Sequence, residues 1–186
     1  MEPIDPTWTI QQAIFYFYDQ NKFGENGGAT KKWAWIKFGF FSIPIPNIKS
    51  RQEHIFFHDL NHIVTDSDTT WKGESSVSAW EVASGGWGNL YYLWLLTLWV
   101  MGFGVIFYPK TIFFSFKKGL NMRNAFRCNL TKEQILPLRI IDLRNQLSNF
   151  SKSHKNIYFW MGISLFVFFI PFIISGVFIL IILNIV

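Results

Sequence analysis

The chain has 186 residues, room for one domain, and is half hydrophobic by count, with 21 Phe and 9 Trp against only 16% charged residues. A small soluble domain cannot cover that much apolar surface, so the composition points to a membrane protein, and the single cysteine, Cys128, excludes an internal disulfide or a cysteine-ligated zinc site. The net charge of +5 is uneven: residues 1–87 carry seven Lys and Arg against ten acids, residues 109–156 ten against two, and basic residues beside apolar segments mark the cytoplasmic face of a membrane rather than a nucleic-acid patch.

In chain order, the first twenty residues hold Glu2, Asp5 and Asp19 but no Lys or Arg, unlike a signal or transit peptide. Residues 7–23 predict a helix capped by Thr7 or Thr9. GENGGATKK (24–32) is a turn by its glycines and Asn. The aromatic stretch from Trp33 to Lys49, with Pro44 and Pro46, reads as a short strand or as an interfacial segment with Trp33 and Trp35 at a headgroup boundary. A polar-faced helix follows from about Arg51 to Val64, then the turn TDSDTT, in which Asp68 or Thr69 would cap the next helix. That helix packs through Val77, Trp80 and Ala83, leaves Glu74 and Glu81 along one edge, and breaks at Gly85, Gly86 and Gly88.

Residues 89–108 carry no charge and are long enough to cross a bilayer, although length does not separate a span from a buried helix. Amphipathic TIFFSFKKGL comes next, and then a capping box at Thr131-x-x-Gln134. Leu136, Ile140, Leu143 and Leu147 recur at helical spacing, bent early by Pro137. SNFSKSHKN (148–156) is polar, and its His154 is expected in solvent. The remainder, from 157 to 186, is uncharged and predicts one transmembrane helix, tilted or kinked near Pro171. The fold class expected is therefore all-α: a helical domain over 1–150, a linker over 151–156 and a membrane anchor over 157–186.

The chemistry concentrates between Arg51 and Glu81. His54, His58 and His62 are spaced i, i+4, i+8 and stack along one helix face. Two histidines four apart with a carboxylate from a neighbouring helix, Glu74 or Glu81, form a ligand set for zinc or another divalent metal. A solvated polar face is the plain alternative for the histidines alone. Paired Glu-x-x-His motifs of a di-iron bundle are missing, and four histidines are too few for a multi-box membrane hydroxylase.

His58-Asp59-x-x-His62, followed after eleven residues by Glu74, resembles the metal-ligand pattern of the coenzyme Q biosynthesis protein 4 family. Gly73-Glu74, Trp80-Glu81, the apolar helix, Lys118-Gly119, Pro137-Leu138 and Leu143-Arg144-x-x-Leu147 are similar to that family as well, over roughly residues 10–150. The chain departs from it at Asp66-Ser67-Asp68, where the family has a Gly-x-Pro turn, and in its extra terminal helix. The resemblance implies His58, His62 and Glu74 as ligands of a divalent metal, zinc first, with iron or manganese as alternatives. It implies a substrate among long-tailed quinones or polyprenyl aromatic precursors, decarboxylation or hydroxylation of the ring, and a biosynthetic complex or homo-oligomer as partner. The competing expectation is a non-catalytic lipid-binding scaffold. Asp59 and Glu81 are the candidate catalytic residues: Asp59 would orient a ligand histidine or act as base, and Glu81 is alternatively a fourth ligand. His54 is expected behind the ligands. Together these readings expect an integral protein of a bacterial inner membrane, its domain on the cytoplasmic face.

Overall fold

A computed structural model describes residues 4–38, 41–148 and 153–185. It is mostly helical: α1 (Ile10–Asn21), α2 (Lys49–Thr65), α3 (Trp71–Ala83), α4 (Tyr91–Phe107), α5 (Pro109–Gly119), α6 (Lys132–Ile135), α7 (Ile140–Ser148) and α8 (Ile157–Ile185). The one departure from the all-α expectation is an antiparallel hairpin, β1 (Trp33–Phe38) and β2 (Phe41–Pro46), in the register Trp33↔Pro46. In a two-stranded sheet each strand keeps an open edge, where the missing N–H of Pro44 and Pro46 is tolerated. Of the linker expected over 151–156, residues 151 and 152 lie outside the described residues.

Local sequence explains most boundaries. Thr9, not Thr7, caps α1, in a capping box with Gln12. Thr131 and Gln134 form the expected box, but the helix stops at Ile135. Pro137 cannot donate to a helical ladder, and Arg139 instead forms a bridge with Thr9, so the predicted helix becomes α6 and α7. The cap of α3 is Thr70, one residue beyond the expected Asp68 or Thr69. Its Oγ1 accepts from the Gly73 N–H (3.3 Å), while the Asp68 carboxylate accepts from the Thr70 N–H (3.0 Å) and hydroxyl (2.5 Å).

Two apolar clusters share α3 as their common wall. Trp80 joins the first, with Ile10 and Phe17 of α1, Leu60 and Ile63 of α2, and Ile140, Leu143 and Leu147 of α7. Ala79, Val82 and Ala83 join the second, with Leu98 and Met101 of α4 and Ile112 and Phe116 of α5. Buried on both sides, α3 has no solvent edge along its last two turns, and Glu81 is buried rather than peripheral.

Among the described residues, only α8 is long and apolar enough to cross a membrane, with mean hydropathy 3.0 over an 18-residue window within Ile157–Asn184. The 17-residue α4 lies between α3 and α8, and α5 turns back at its end. Ser76 of α3 pairs with Ser115 of α5 (2.7 Å), and the same two helices close on Gly119, where an added Cβ would lie 2.8 Å from the Ala83 Cβ. The segments before and after α4 therefore pack side by side. The start of α8 is tied into the domain as well. Trp94 stacks on Trp160 at 5.5 Å and 13°, and at Gly102 the α4 and α8 backbones nearly touch. An added Cβ there would collide with the Ser164 carbonyl oxygen and lie 2.6 Å from the Phe168 Cβ.

Substituting Gly102→Leu is therefore expected to push α8 off α4 and cost about 1–3 kcal/mol or more, the usual penalty of overpacking. Thermal unfolding in detergent reads this directly. Gly176→Leu, with nothing within 4 Å of its Cβ, supplies the silent control, and equal melting of both variants would count against the packing.

Candidate metal centre

Helix α2 presents His58 and His62 one turn apart, and Glu74 reaches them from the first turn of α3. His58 Nε2 lies 3.3 Å from His62 Nε2 and 3.3 Å from Glu74 Oε2, and His62 Nε2 lies 3.5 Å from the same carboxylate oxygen. An ion held tetrahedrally with bonds of about 2.0–2.1 Å separates its ligand atoms by about 3.3–3.4 Å. The three atoms already stand at that spacing, so the group could hold a metal ion. His62 is buried, whereas the His58 and Glu74 side chains keep 22% and 30% exposure, which leaves one side open for water or a substrate oxygen.

The other ring nitrogens are occupied. His58 Nδ1 pairs with Glu81 Oε1 at 2.9 Å, and His62 Nδ1 pairs with the carbonyl oxygens of Asp68 (3.0 Å) and Ser67 (3.2 Å). These partners only accept, so each Nδ1 carries the hydrogen. That leaves both Nε2 atoms as the metal-facing positions.

Glu81 is fully buried and held in turn: the Asn61 amide donates to Oε1 (2.8 Å) and the Thr97 hydroxyl to Oε2 (3.5 Å). The Trp87 indole N–H fixes Thr97 at 2.9 Å. Asn61 is itself aligned, its carbonyl accepting from the Ala125 N–H at 3.1 Å. The Ser67 and Asp68 carbonyls face His62 because Asp66 closes α2 in the left-handed conformation at φ 56°, unfavourable for most residues by roughly 1–2 kcal/mol. Arg144 of α7 stabilises that turn, donating to the Ile63 carbonyl (2.8 Å), the Val64 carbonyl (3.0 Å) and the Asp66 carboxylate (2.5 Å).

The candidate residues therefore separate. His58, His62 and Glu74 come together; Glu81 sits behind His58 as its orienting carboxylate. Asp59 points away from the ligands, toward Tyr18 of α1 and the turn at Gly27, where an added Cβ would lie 2.7 Å from Asp59 Oδ2. The orienting role expected of Asp59 is filled by Glu81. Burial raises the Asp59 carboxyl to about 6, partly offset by the charges of His58 and His62 and a hydrogen bond from Tyr18. Among the described residues its Oδ2 has no aligned donor. Burial and the nearby Asp59 charge push the Tyr18 hydroxyl up, so it stays a donor. His54 does not stand behind the ligands: its Nδ1 bonds the Ser50 carbonyl (2.7 Å), and its ring meets Phe126 edge-on at 5.2 Å. His154 is exposed, as expected.

Sequence reading missed Asn61, Thr97 and Arg144 as supports. Asn61 had one visible signal, a lone amide flanked by Leu60, Ile63 and Val64 on the apolar side of α2. Compared with known proteins, the chain matches no family model, no curated protein and no solved structure.

The electrostatics make a proton and a cation competitors for His58 Nε2. Burial pulls the His58 imidazole down, but Glu81 and Glu74 outweigh it and hold it well above its ordinary value. Burial opposes ionisation of Glu74 too, yet the two histidines carry it well below the usual carboxylate range. A raised His58 stabilises the fold below its unfolded value of 6.5, and that stability is lost as pH rises through the folded value. Glu74, being lowered, and Asp59, at about 6, are already ionised on the alkaline side of 6.5. Chelator-treated protein is therefore expected to lose melting temperature as pH rises through the folded value of His58, and zinc to raise it more at pH 8 than at pH 6.5, below the range in which Lys155, lowered to about 8, acts in the opposite sense. A zinc shift of equal size at both pH values would contradict the competition.

Glu81→Gln tests the orienting carboxylate. An amide no longer fixes the hydrogen on His58 Nδ1, and losing such a partner typically lowers metal affinity about 10–100-fold. Competition against a chelator of known affinity measures the change, and unchanged affinity would remove Glu81 from the site.

Proposed function

We propose that the chain is a membrane-anchored, metal-dependent enzyme acting on the ring of a long-tailed quinone or polyprenyl aromatic precursor. The observation that carries this reading is the ligand triangle: two Nε2 atoms and one carboxylate oxygen at metal spacing, oriented from behind and open in front. Structural zinc sites close with four protein ligands, whereas catalytic sites keep a position free. Zinc is the first choice for two imidazoles and a carboxylate, with iron or manganese as alternatives. A bound divalent ion would supply charge stabilisation to a carboxylate or phenolate oxygen of the ring. The chain's own contribution is to hold His58 and His62 in one tautomer, through Glu81 and the Ser67 and Asp68 carbonyls, and to keep Glu74 ionised beside them.

An apolar substrate is supported by the surroundings of α3. Trp71, three residues before Glu74, packs on Phe103 at 4.5 Å, and Phe103 meets Phe168 of α8 at 6.3 Å. An aromatic contact path thus connects the metal residues to the membrane helix. The choice of ring chemistry, and of a quinone or polyprenyl precursor, rests on the likeness of His58-Asp59-x-x-His62 and Glu74 to the coenzyme Q biosynthesis protein 4 motif. The basic balance of residues 109–156 supports a cytoplasmic face.

A second reading, a lipid-binding scaffold with a resident metal, is favoured by the position of two surface clefts. One lies between α5 and α8, the other along α1 beside Trp8, Phe15 and Tyr16, and neither includes a ligand residue. Elemental analysis of chelator-free protein is expected to find about one divalent ion per chain, since this ligand set holds one ion, and His58→Ala to lose it. Absence of metal, with no uptake of zinc, iron or manganese, would sink both readings. In cells, mass spectrometry of extracted lipids should show a ring precursor accumulating in Glu74→Gln with its product lost. An unchanged lipid profile in that variant favours the scaffold.

A further inference from the structure

We propose that the corner where α4 turns into α5 is immersed in the lipid that α8 enters, so that the domain stands partly in the bilayer instead of above it on a tether. This rests on the anchor half of the proposed function, not on the metal. Helices α4 and α8 run parallel and in fixed register: Trp94 is level with Trp160, and Gly102 and Phe103 with Ser164 and Phe168. The close backbone approach at Gly102 holds the two helices together at the level of Ser164 and Phe168, so lipid that reaches this part of α8 also reaches the end of α4.

At the level of Phe168 the outward surface is apolar on all three helices. Helix α8 exposes Phe166 and Phe169, α4 exposes Ile106 and Phe107 (58%), and α5 exposes Phe114 (70%). Helix α4 carries no charge along its 17 residues, and the first charge after it is Lys110, whose long stem lets the ammonium reach a phosphate while its carbons stay in apolar surroundings. A continuous patch of large apolar side chains marks an interaction surface. Its continuity with the membrane helix identifies lipid as the occupant.

The cleft between α5 and α8 agrees. It has a volume of about 560 Å³ and is lined by Pro109, Phe113, Phe114, Tyr158 and Met161, with Lys110 as its one charge. Apart from Lys110 its walls are apolar, as contact with acyl chains requires. Immersion to this depth brings the first turn of α3, and with it Glu74, within one helix of the lipid.

The test uses the full chain with Cys128→Ser, reconstituted in phosphatidylcholine vesicles. An environment-sensitive fluorophore is placed on single cysteines introduced by Phe107→Cys, Phe114→Cys, Phe178→Cys and Gln11→Cys. Emission from the labels at 107, 114 and 178 should be lost with acyl-brominated phosphatidylcholine and resist aqueous iodide, while the label at 11 behaves in the opposite way. Iodide quenching at 107 and 114, with 178 still quenched by brominated lipid, would overturn the immersion and leave the anchor standing. Protection of 107 and 114 from both quenchers would show a second protein copy covering the corner, and equally overturn the proposal. Failure of brominated lipid to quench the label at 178 would remove the anchor, and the immersion with it. Two reporters on different helices keep the test informative if one variant misfolds.

Discussion

The hydrogen bond between His58 Nδ1 and the buried Glu81 carboxylate is the constraint on which the rest of the centre depends. A carboxylate with no exposure is costly unless it is paired and bonded on every side. Asn61, Thr97 and His58 supply those bonds, from two different helices. Helix α2 provides the imidazole and the amide, and α4 provides the hydroxyl. The Ala125 N–H, on the short 3-10 turn after α5, aligns the amide. Removing either helix would leave the buried charge short of hydrogen bonds. The candidate metal site and the helix packing are therefore one problem in electrostatics.

That coupling explains why α3 is built as it is. A surface helix would show an apolar stripe and a polar face, but α3 separates two apolar clusters and is buried through most of its length. Small residues, Ser75, Ser76 and Ala79, stand where α4 and α5 approach it closely. Only its N-terminal half meets solvent, and Glu74 is there. The two glutamates, seven residues apart and on the same side of the helix, thus occupy opposite environments. One is at the mouth of the site with the histidines lowering its proton affinity, and the other is sealed behind them.

The loop after α2 makes the same point through the backbone. The left-handed turn at Asp66 is a position where glycine is the usual choice, since it has no Cβ to clash. Here an aspartate takes it, and the Arg144 guanidinium binds both that carboxylate and the freed carbonyls of the helix end. The turn aims the Ser67 and Asp68 carbonyls at His62 and sets its tautomer. A substitution in α7, remote in sequence from the motif, would act on His62 by this route.

Much of this was legible from residue spacing. The i, i+4 histidines, the acid on the next helix, the Thr131–Gln134 box and the uncharged terminal helix are local signals, because helical period and capping chemistry depend on neighbours within a turn or two. The tertiary structure decided what neighbours cannot. It separated Glu81 from Glu74 by burial and turned Asp59 away from the ligands, since adjacent positions on a helix face about 100° apart. It removed His54 to a ring contact with Phe126, and it broke the 132–147 pattern at the bridge from Arg139 to Thr9. It also supplied the neighbours of residues 89–108: hydropathy counts apolar side chains without saying what covers them, and only the tertiary structure puts α4 between α3 and α8, with α5 returning beside α3.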